Sequence, residues 1–198
     1  MQNGSRLVPW ETEGVLCALL LIATHRETSI GRTVFYTLLL LMQGDAANKS
    51  YIKRCLAMEI IEARIDHLED VYKLLCELEN ETLDKSKFTQ IYRDNMYNSN
   101  IHYFLAIDEL NVVGFASLHL QKLLHHCAQV GEIQEIIISK NQQGKGTGTA
   151  LFNKLKETAI RYNCLLLEVC CNVLREKSHN FYLKQDMKKS HYKFTYQL

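Results

Sequence analysis

A mixed α/β (α+β) domain, its sheet mostly antiparallel and flanked by helices, is what this sequence predicts. Three observations carry the expectation. Short apolar runs rich in Ile, Val and Phe recur from residue 58 onward, and such runs bounded by polar turns read as strands. Several segments between them place apolar residues three and four apart, the spacing of a helix with one buried side. Two runs, IHYFLAID and VVGFASLHL, are joined only by Glu109–Asn111, a link that suits a tight hairpin.

Taken in order, Met58–Arg64 (MEIIEAR) is a short strand. A helix follows in which Leu68, Val71, Leu74, Leu75 and Leu78 share a face, with Asp66 as its cap and Glu69 in the reciprocal position. A second helix, Lys85–Asn95, places Phe88 and Ile91 on one side. Ile101–Asp108 and Val112–Leu120 form the hairpin, and Gly131–Ser139 (GEIQEIIIS) is a further strand. Thr147–Tyr162 is a helix with Leu151, Leu155 and Ala159 inward, Cys164–Cys170 a strand, and Leu174–Lys184 a helix. His191–Tyr196 alternates and is expected to close the sheet as an antiparallel strand.

The 198 residues suffice for one domain and an appendage. A 47% hydrophobic, 23% charged composition excludes a wholly disordered chain. With 23 Lys+Arg against 22 Asp+Glu there is no global positive field to hold nucleic acid. The seven cysteines form no CxxC and mostly sit in apolar runs, as reduced, buried small hydrophobes of a cytoplasmic protein do.

Residues 1–57 read differently. Their apolar stretches Val15–Ala23 and Val34–Met42 are far shorter than the roughly 20 residues of a membrane helix, and Arg26, Glu27 and Arg32 keep them apart. Glu11 and Glu13 stand where a signal peptide would be basic. The expected organisation is an extension over 1–57, made of short hydrophobic helices or poorly ordered chain, and a domain over 58–198, with no membrane contact.

The loop Gln143-Gly144-Lys145-Gly146-Thr147-Gly148-Thr149 lies between a strand and a helix. Alternate glycines leave backbone N–H groups unshielded at a helix N-terminus, where the positive end of the helix also favours an anion. The spacing is GxGxG, neither the GxxxxGK of a P-loop nor the GxGxxG of a dinucleotide fold.

Gln143–Gly148 after QEIIIS resembles the acetyl-CoA pyrophosphate loop of the GNAT superfamily of N-acetyltransferases, and the element order is similar to that fold. CELENETLDKSKF, VVGFASLHLQKLLHHCAQVGEIQEI, REKSHNFYLKQ and SHYKFT extend the resemblance to the aminoalkylphosphonate N-acetyltransferases, from Met58 to Leu198. It implies a cytoplasmic acetyltransferase that moves acetyl from acetyl-CoA to the primary amine of a small polar substrate, an aminoalkylphosphonate, by direct attack in a ternary complex. An aminoglycoside, a polyamine or a protein lysine is the alternative acceptor, and a non-catalytic acyl-CoA-binding module the alternative class. A homodimer is compatible with either.

The resemblance also implies a splayed strand pair, with pantetheine gripped by backbone groups of Ile136, Ile137 and Ile138, the pyrophosphate on Gln143–Thr149, and Asn172 at the cofactor. Tyr182 matches the tyrosine that faces the CoA sulfur, and a phenol can protonate a thiolate, their unperturbed pKa values being roughly 10 and 8.5. Glu135 is similar to the family's strand-borne base. Glu132, three residues away, is expected on the opposite face, so that only one of the two carboxylates meets the cleft. His126 is a second candidate for the amine proton. His125, His126, Glu132 and His191 are the candidate substrate contacts, with Lys122, Lys188 and Lys193 as cations for a phosphonate. His119, His125, His126 and a carboxylate leave a divalent metal ion open, as their spacing fixes no ligand set. Asp186 stands where the family has a glycine, and an aspartate tolerates φ > 0 better than most residues.

Removal of residues 1–57 is expected to leave a folded, active protein, checked by circular dichroism and turnover. Loss of most turnover would place that segment inside the working domain.

Overall fold

The computed structural model describes residues 58–108 and 111–198; the extension expected over 1–57 lies outside them. Five strands, β1 (Glu59–Glu62), β2 (Ile101–Asp108), β3 (Asn111–Leu123), β4 (Ala128–Ile138) and β5 (Leu167–Val169), form one sheet in the order β1-β2-β3-β4-β5. β1 pairs antiparallel with β2, β3 antiparallel with β4, and β4 parallel with β5. The helices are α1 (Leu68–Glu79), α2 (Lys85–Met96), α3 (Thr147–Arg161) and α4 (Glu176–Lys184).

Each face of the sheet has its own core, because alternate strand residues point to opposite sides. Phe104, Ala106, Ala116, Leu118, Leu120 and Ile133 pack with Leu151, Phe152, Leu155 and Ala159 of α3. Leu105, Phe115 and Ile137 turn the other way, to Val71 and Leu74 of α1 and Tyr92 of α2. The second layer is pinned by hydrogen bonds as well as by packing. The Tyr92 hydroxyl donates to the Arg64 carbonyl (2.8 Å), the Tyr72 hydroxyl donates to the Leu83 carbonyl (2.8 Å), and Lys85 Nζ pairs with Glu69 (2.8 Å).

The entry to α1 differs from the expected Asp66 cap. A 3₁₀ turn over Ile65–His67 precedes the helix, and His67 stands at its N-cap. The Arg64 N–H donates to His67 Nδ1 (3.0 Å), while Asp66 pairs with the Arg64 guanidinium (3.3 Å). The extra turn rotates Asp66 away from the helix amides and buries the imidazole instead. α2 is capped conventionally: Asp84 Oδ1 accepts from the N–H groups of Ser86 (3.0 Å) and Lys87 (3.1 Å).

Two further expectations are corrected at the C-terminal side. β5 has three residues rather than the seven expected over Cys164–Cys170. Residues 191–196 form no strand and join no ladder of the sheet, and Tyr192, Phe194 and Tyr196 are exposed. Alternation supplies the side-chain pattern of a strand, but only a ladder partner satisfies its backbone. The cysteines also differ: Cys127 and Cys170 are exposed, and Cys76, Cys164 and Cys171 half-buried, all as free thiols. Among the described residues no helix is long and apolar enough to cross a membrane.

His67 and His102 are both held below the ordinary histidine pKa, first by burial; Asp66 opposes this at His67 and Glu62 at His102. In addition, His102 Nε2 is buried without a hydrogen-bond partner. A histidine whose folded pKa is depressed takes up its proton more readily once unfolded. Its stabilising effect is therefore intact above about pH 6.5 and declines as pH falls through the interval below it. The thermal midpoint is expected to drop between about pH 7.5 and 5, and His102→Leu to flatten part of that slope. A midpoint constant over this range would contradict both assignments.

Candidate active site

The site is built where β4 parts from β5. Their ladder holds at Gly131–Leu167, Glu132–Glu168 and Ile133–Val169 and goes no further, although β4 continues to Ile138. The Ser139 N–H donates to the Val113 carbonyl (2.9 Å). Since bonded and non-bonded positions alternate along an antiparallel pair, the backbone groups of Ile137 turn to β3. Those of Ile136 and Ile138 turn to the side that β5 has left. Of the three isoleucines expected to grip pantetheine, Ile136 and Ile138 turn their backbone groups to the side without a ladder, and Ile137 turns its own to β3. The Ile138 carbonyl there accepts from Gln143 Nε2 (3.1 Å).

Beyond β4 the chain passes a 3₁₀ turn over Lys140–Gln142 and enters the glycine loop. Gly144 (φ +80°) and Gly146 (φ +89°) both have positive φ, a region glycine enters without steric cost. A Cβ at either would meet nothing within 4 Å, so backbone conformation selects them and the loop's outer surface stays bare. Gly146 precedes α3, whose first intrahelical bond is from the Ala150 N–H to the Gly146 carbonyl (3.0 Å). The amides of Thr147, Gly148 and Thr149 lie ahead of that bond, at the positive end of a 15-residue helix. Gly148 sits close under Phe181, where a Cβ would come within 3.3 Å of the ring. The loop and α4 thus meet at the mouth of the gap.

Tyr182, on α4, is buried, with its ring against Phe181 (5.3 Å between centroids). Burial, and secondarily Cys171 nearby, pushes its phenol well above the ordinary tyrosine range, so it is protonated at neutral pH. α4 is tied to the opposite helix layer by Arg175, which donates to the Leu78 carbonyl (3.1 Å) and pairs with Glu79 (3.2 Å). Asn172 spends its side-chain oxygen on the Leu174 N–H (2.9 Å), and its carbonyl accepts from the Arg175 N–H (3.0 Å), ordering the turn into α4. Asp186 has φ +62°, the conformation expected of the glycine it replaces.

The carboxylates are arranged otherwise than their spacing predicts. Between the pairs Ala116–Ile136 and Leu118–Ile133, one residue of β3 stands opposite two of β4. This β-bulge shifts the alternation by one: Ile133 and Ile136 both face α3, and Glu132 and Glu135 both face the other way. Glu132 has two cross-strand partners, His119 on β3 and Glu168 on β5, and such partners share a face. Ser117, His119, Glu132, Glu135 and Glu168 therefore share one face of the sheet, the floor of the site. Gln121 Nε2 donates to Glu132 there (3.1 Å). Tyr103 borders Glu135; its phenol is pushed up to about 12, mainly by burial. Ser117 and Tyr103 escaped sequence reasoning as site residues, and His119 entered it only as a possible metal ligand, because the bulge is what sets the carboxylates beside them.

The other candidates are placed elsewhere. The rings of His125 and His126 meet at a tilt (4.2 Å between centroids) in a 3₁₀ turn at the tip of the β3–β4 hairpin. Glu135 is seven residues along β4 from Ala128, roughly 20 Å at strand rise. His126 is thus not beside Glu135, and neither histidine joins the floor. Lys122 follows Leu118 and Leu120 on the α3 side. His191, with Lys188 and Lys193, lies on the exposed C-terminal segment. Among the described residues no three His, Cys, Asp or Glu side chains are grouped to hold a metal ion.

A parted strand pair, an amide-lined helix start at its mouth and a buried tyrosine alongside describe an acyl-CoA-dependent transferase. Residues 68–187 match the model of the "Acetyltransferase (GNAT) family", and the chain belongs to that family of acetyl-CoA-using enzymes. It is similar to an aminoalkylphosphonate N-acetyltransferase of Salmonella typhimurium, 36% identical over 137 residues, covering 69% of this chain and 89% of that protein. A glucosamine 6-phosphate N-acetyltransferase of Candida albicans is 29% identical over 93 residues, 46% of this chain and 62% of that one. A crystal structure described as a transcriptional regulator from Bacillus halodurans superposes with a TM-score of 0.67 at 19% identity, over 72% of this chain and all of that one. At that identity the likeness is one of fold.

Gly146→Asp places a carboxylate at the helix start, and Gly146→Ala brings the backbone strain without the charge. The acetyl-CoA KM is expected to rise at least about ten-fold more in the aspartate variant than in the alanine one, with the amine KM unchanged in both. Equal effects of the two substitutions in steady-state kinetics would remove the loop from anion binding.

Proposed function

We propose that this acetyltransferase moves the acetyl group of acetyl-CoA to the primary amine of an aminoalkylphosphonate, by direct attack in a ternary complex in the cytoplasm. The observation that carries the reading is the departure of β4 from β5 with two sets of backbone groups aimed into the gap. The likeness to the Salmonella enzyme supports the acceptor class. Acetyl-CoA supplies an activated acyl group and a thiolate leaving group. In this reading backbone groups of Ile136 and Ile138 hold the pantetheine and the thioester oxygen, fixed before charge develops. The amides of residues 143–149 take the pyrophosphate. Glu135 accepts the amine proton, directly or through water, and Tyr182, which is protonated at neutral pH, donates one to the departing sulfur.

The floor itself favours a second acceptor. Glu132, Glu135 and Glu168 share it, whereas positions 115–121, 130–137 and 167–169 contain no lysine or arginine. Such a floor receives an ammonium well. A phosphonate, carrying about two negative charges near neutral pH, has to be met by cations from outside these strands, for which Lys188 and Lys193 are candidates. A polyamine needs no such cation. Thiol release from acetyl-CoA against aminomethyl- and aminoethylphosphonate, a polyamine and an aminoglycoside decides between them. Turnover with the polyamine alone would replace the phosphonate reading.

Tyr182→Phe keeps the ring and is expected to lower kcat by roughly 10²-fold with acetyl-CoA affinity retained. Unchanged kcat, with chemistry rate-limiting, would remove the general acid. Glu135→Gln is expected to lose most at low pH, where the amine is protonated, and progressively less as free amine accumulates. A profile parallel to the parent's would transfer the base role, with His119 the next to test.

A further inference from the structure

We infer that Ser117 is a positioning residue that presents the Glu135 carboxylate for proton transfer; this rests on the reading of Glu135 as the base. Ser117 is the single β3 residue opposite the bulge. Its hydroxyl is fully buried (0% exposed) in a strand whose neighbours Ala116 and Leu118 belong to the α3-side core. A hydroxyl so placed needs partners, and both that it has are atoms of Glu135. Ser117 Oγ accepts from the Glu135 N–H (3.0 Å), and the same hydroxyl donates to Glu135 Oε2.

The first bond gives the bulged residue's amide a partner where the ladder register is interrupted. The second fastens the far end of the same side chain, closing a ring that runs through Glu135 from its amide to its carboxylate. The backbone turn that brings Glu135 onto the floor and the direction of its carboxylate are thereby set by one group. Oε2 is engaged, and Oε1 is the oxygen presented to the amine. Serine suits the position because it is small enough for a site with no exposure and combines donor with acceptor. Alanine fills the space without either function, and cysteine fills it while performing both weakly.

The test is a series at position 117 in the full chain, with acetyl-CoA and the best amine of the panel. Ser117→Ala is expected to lower kcat on the order of ten-fold near pH 7, with the acetyl-CoA KM unchanged. The deficit should shrink as pH rises, as for Glu135→Gln, because free amine then needs no base. Ser117→Cys should fall between serine and alanine. Combined with Glu135→Gln, Ser117→Ala should add little further loss, since the group it positions is already gone. A pH-independent deficit, a cysteine variant equal to the parent, or multiplicative losses in the double variant would each overturn the proposal while leaving Glu135 as base. If Ser117→Ala does not fold, as judged by circular dichroism, the cysteine variant and its double with Glu135→Gln carry the same tests. A Glu135→Gln enzyme with the parent's pH profile would instead overturn the base assignment, and the role of Ser117 with it.

Discussion

Everything at this site depends on β4 failing to stay in register with its neighbours. On the β3 side it takes up one extra residue opposite Ser117. On the β5 side its ladder stops at Ile133, two residues before Glu135. The two irregularities are adjacent, and each has its own consequence. The first turns Glu132 and Glu135 onto one face; the second leaves the backbone of Ile136 and Ile138 without a second ladder. A regular strand would give neither, because its polar groups would be consumed by two ladders and its carboxylates split between two sides.

The surroundings hold this irregular strand in place from both sides. Ile133 and Ile136 are gripped by the α3 core and Ile137 by the core under α1 and α2, so the strand cannot slip back without exposing one set. Arg175 links the helix that carries Tyr182 to the end of α1. The gap is thus bounded by elements that belong to opposite layers of the sheet.

Much of this was legible in the sequence, and the losses have physical causes. The helices and the five strands follow from apolar periodicity, and the glycine loop from its alternate glycines, because those signals are local. The shared face of Glu132 and Glu135 was not legible, since strand alternation assumes perfect pairing and the extra residue is visible only against β3. His125 and His126 looked close to the carboxylates in sequence, yet an extended chain carries them to the far end of a hairpin. His191–Tyr196 has a strand's alternation without a strand to join. Asp66 had the right spacing for a cap, but a 3₁₀ turn intervened. Each failure is non-local, in that the deciding contact lies on another element.

The floor of three carboxylates has a consequence for how ligands arrive. Its charges lie on neighbouring strands with a histidine beside them and no fixed cation among them, so their fields add at the entrance. At low ionic strength an acceptor bearing an ammonium is drawn in from beyond contact distance. Added salt, with a Debye length near 8 Å at physiological strength, removes that attraction. In the proposed binding mode the polyphosphate end of acetyl-CoA meets a different field, that of the start of α3. Ionic strength therefore acts on the two substrates with separate force, slowing the capture of a cationic amine while easing the approach of an anion past the same acids.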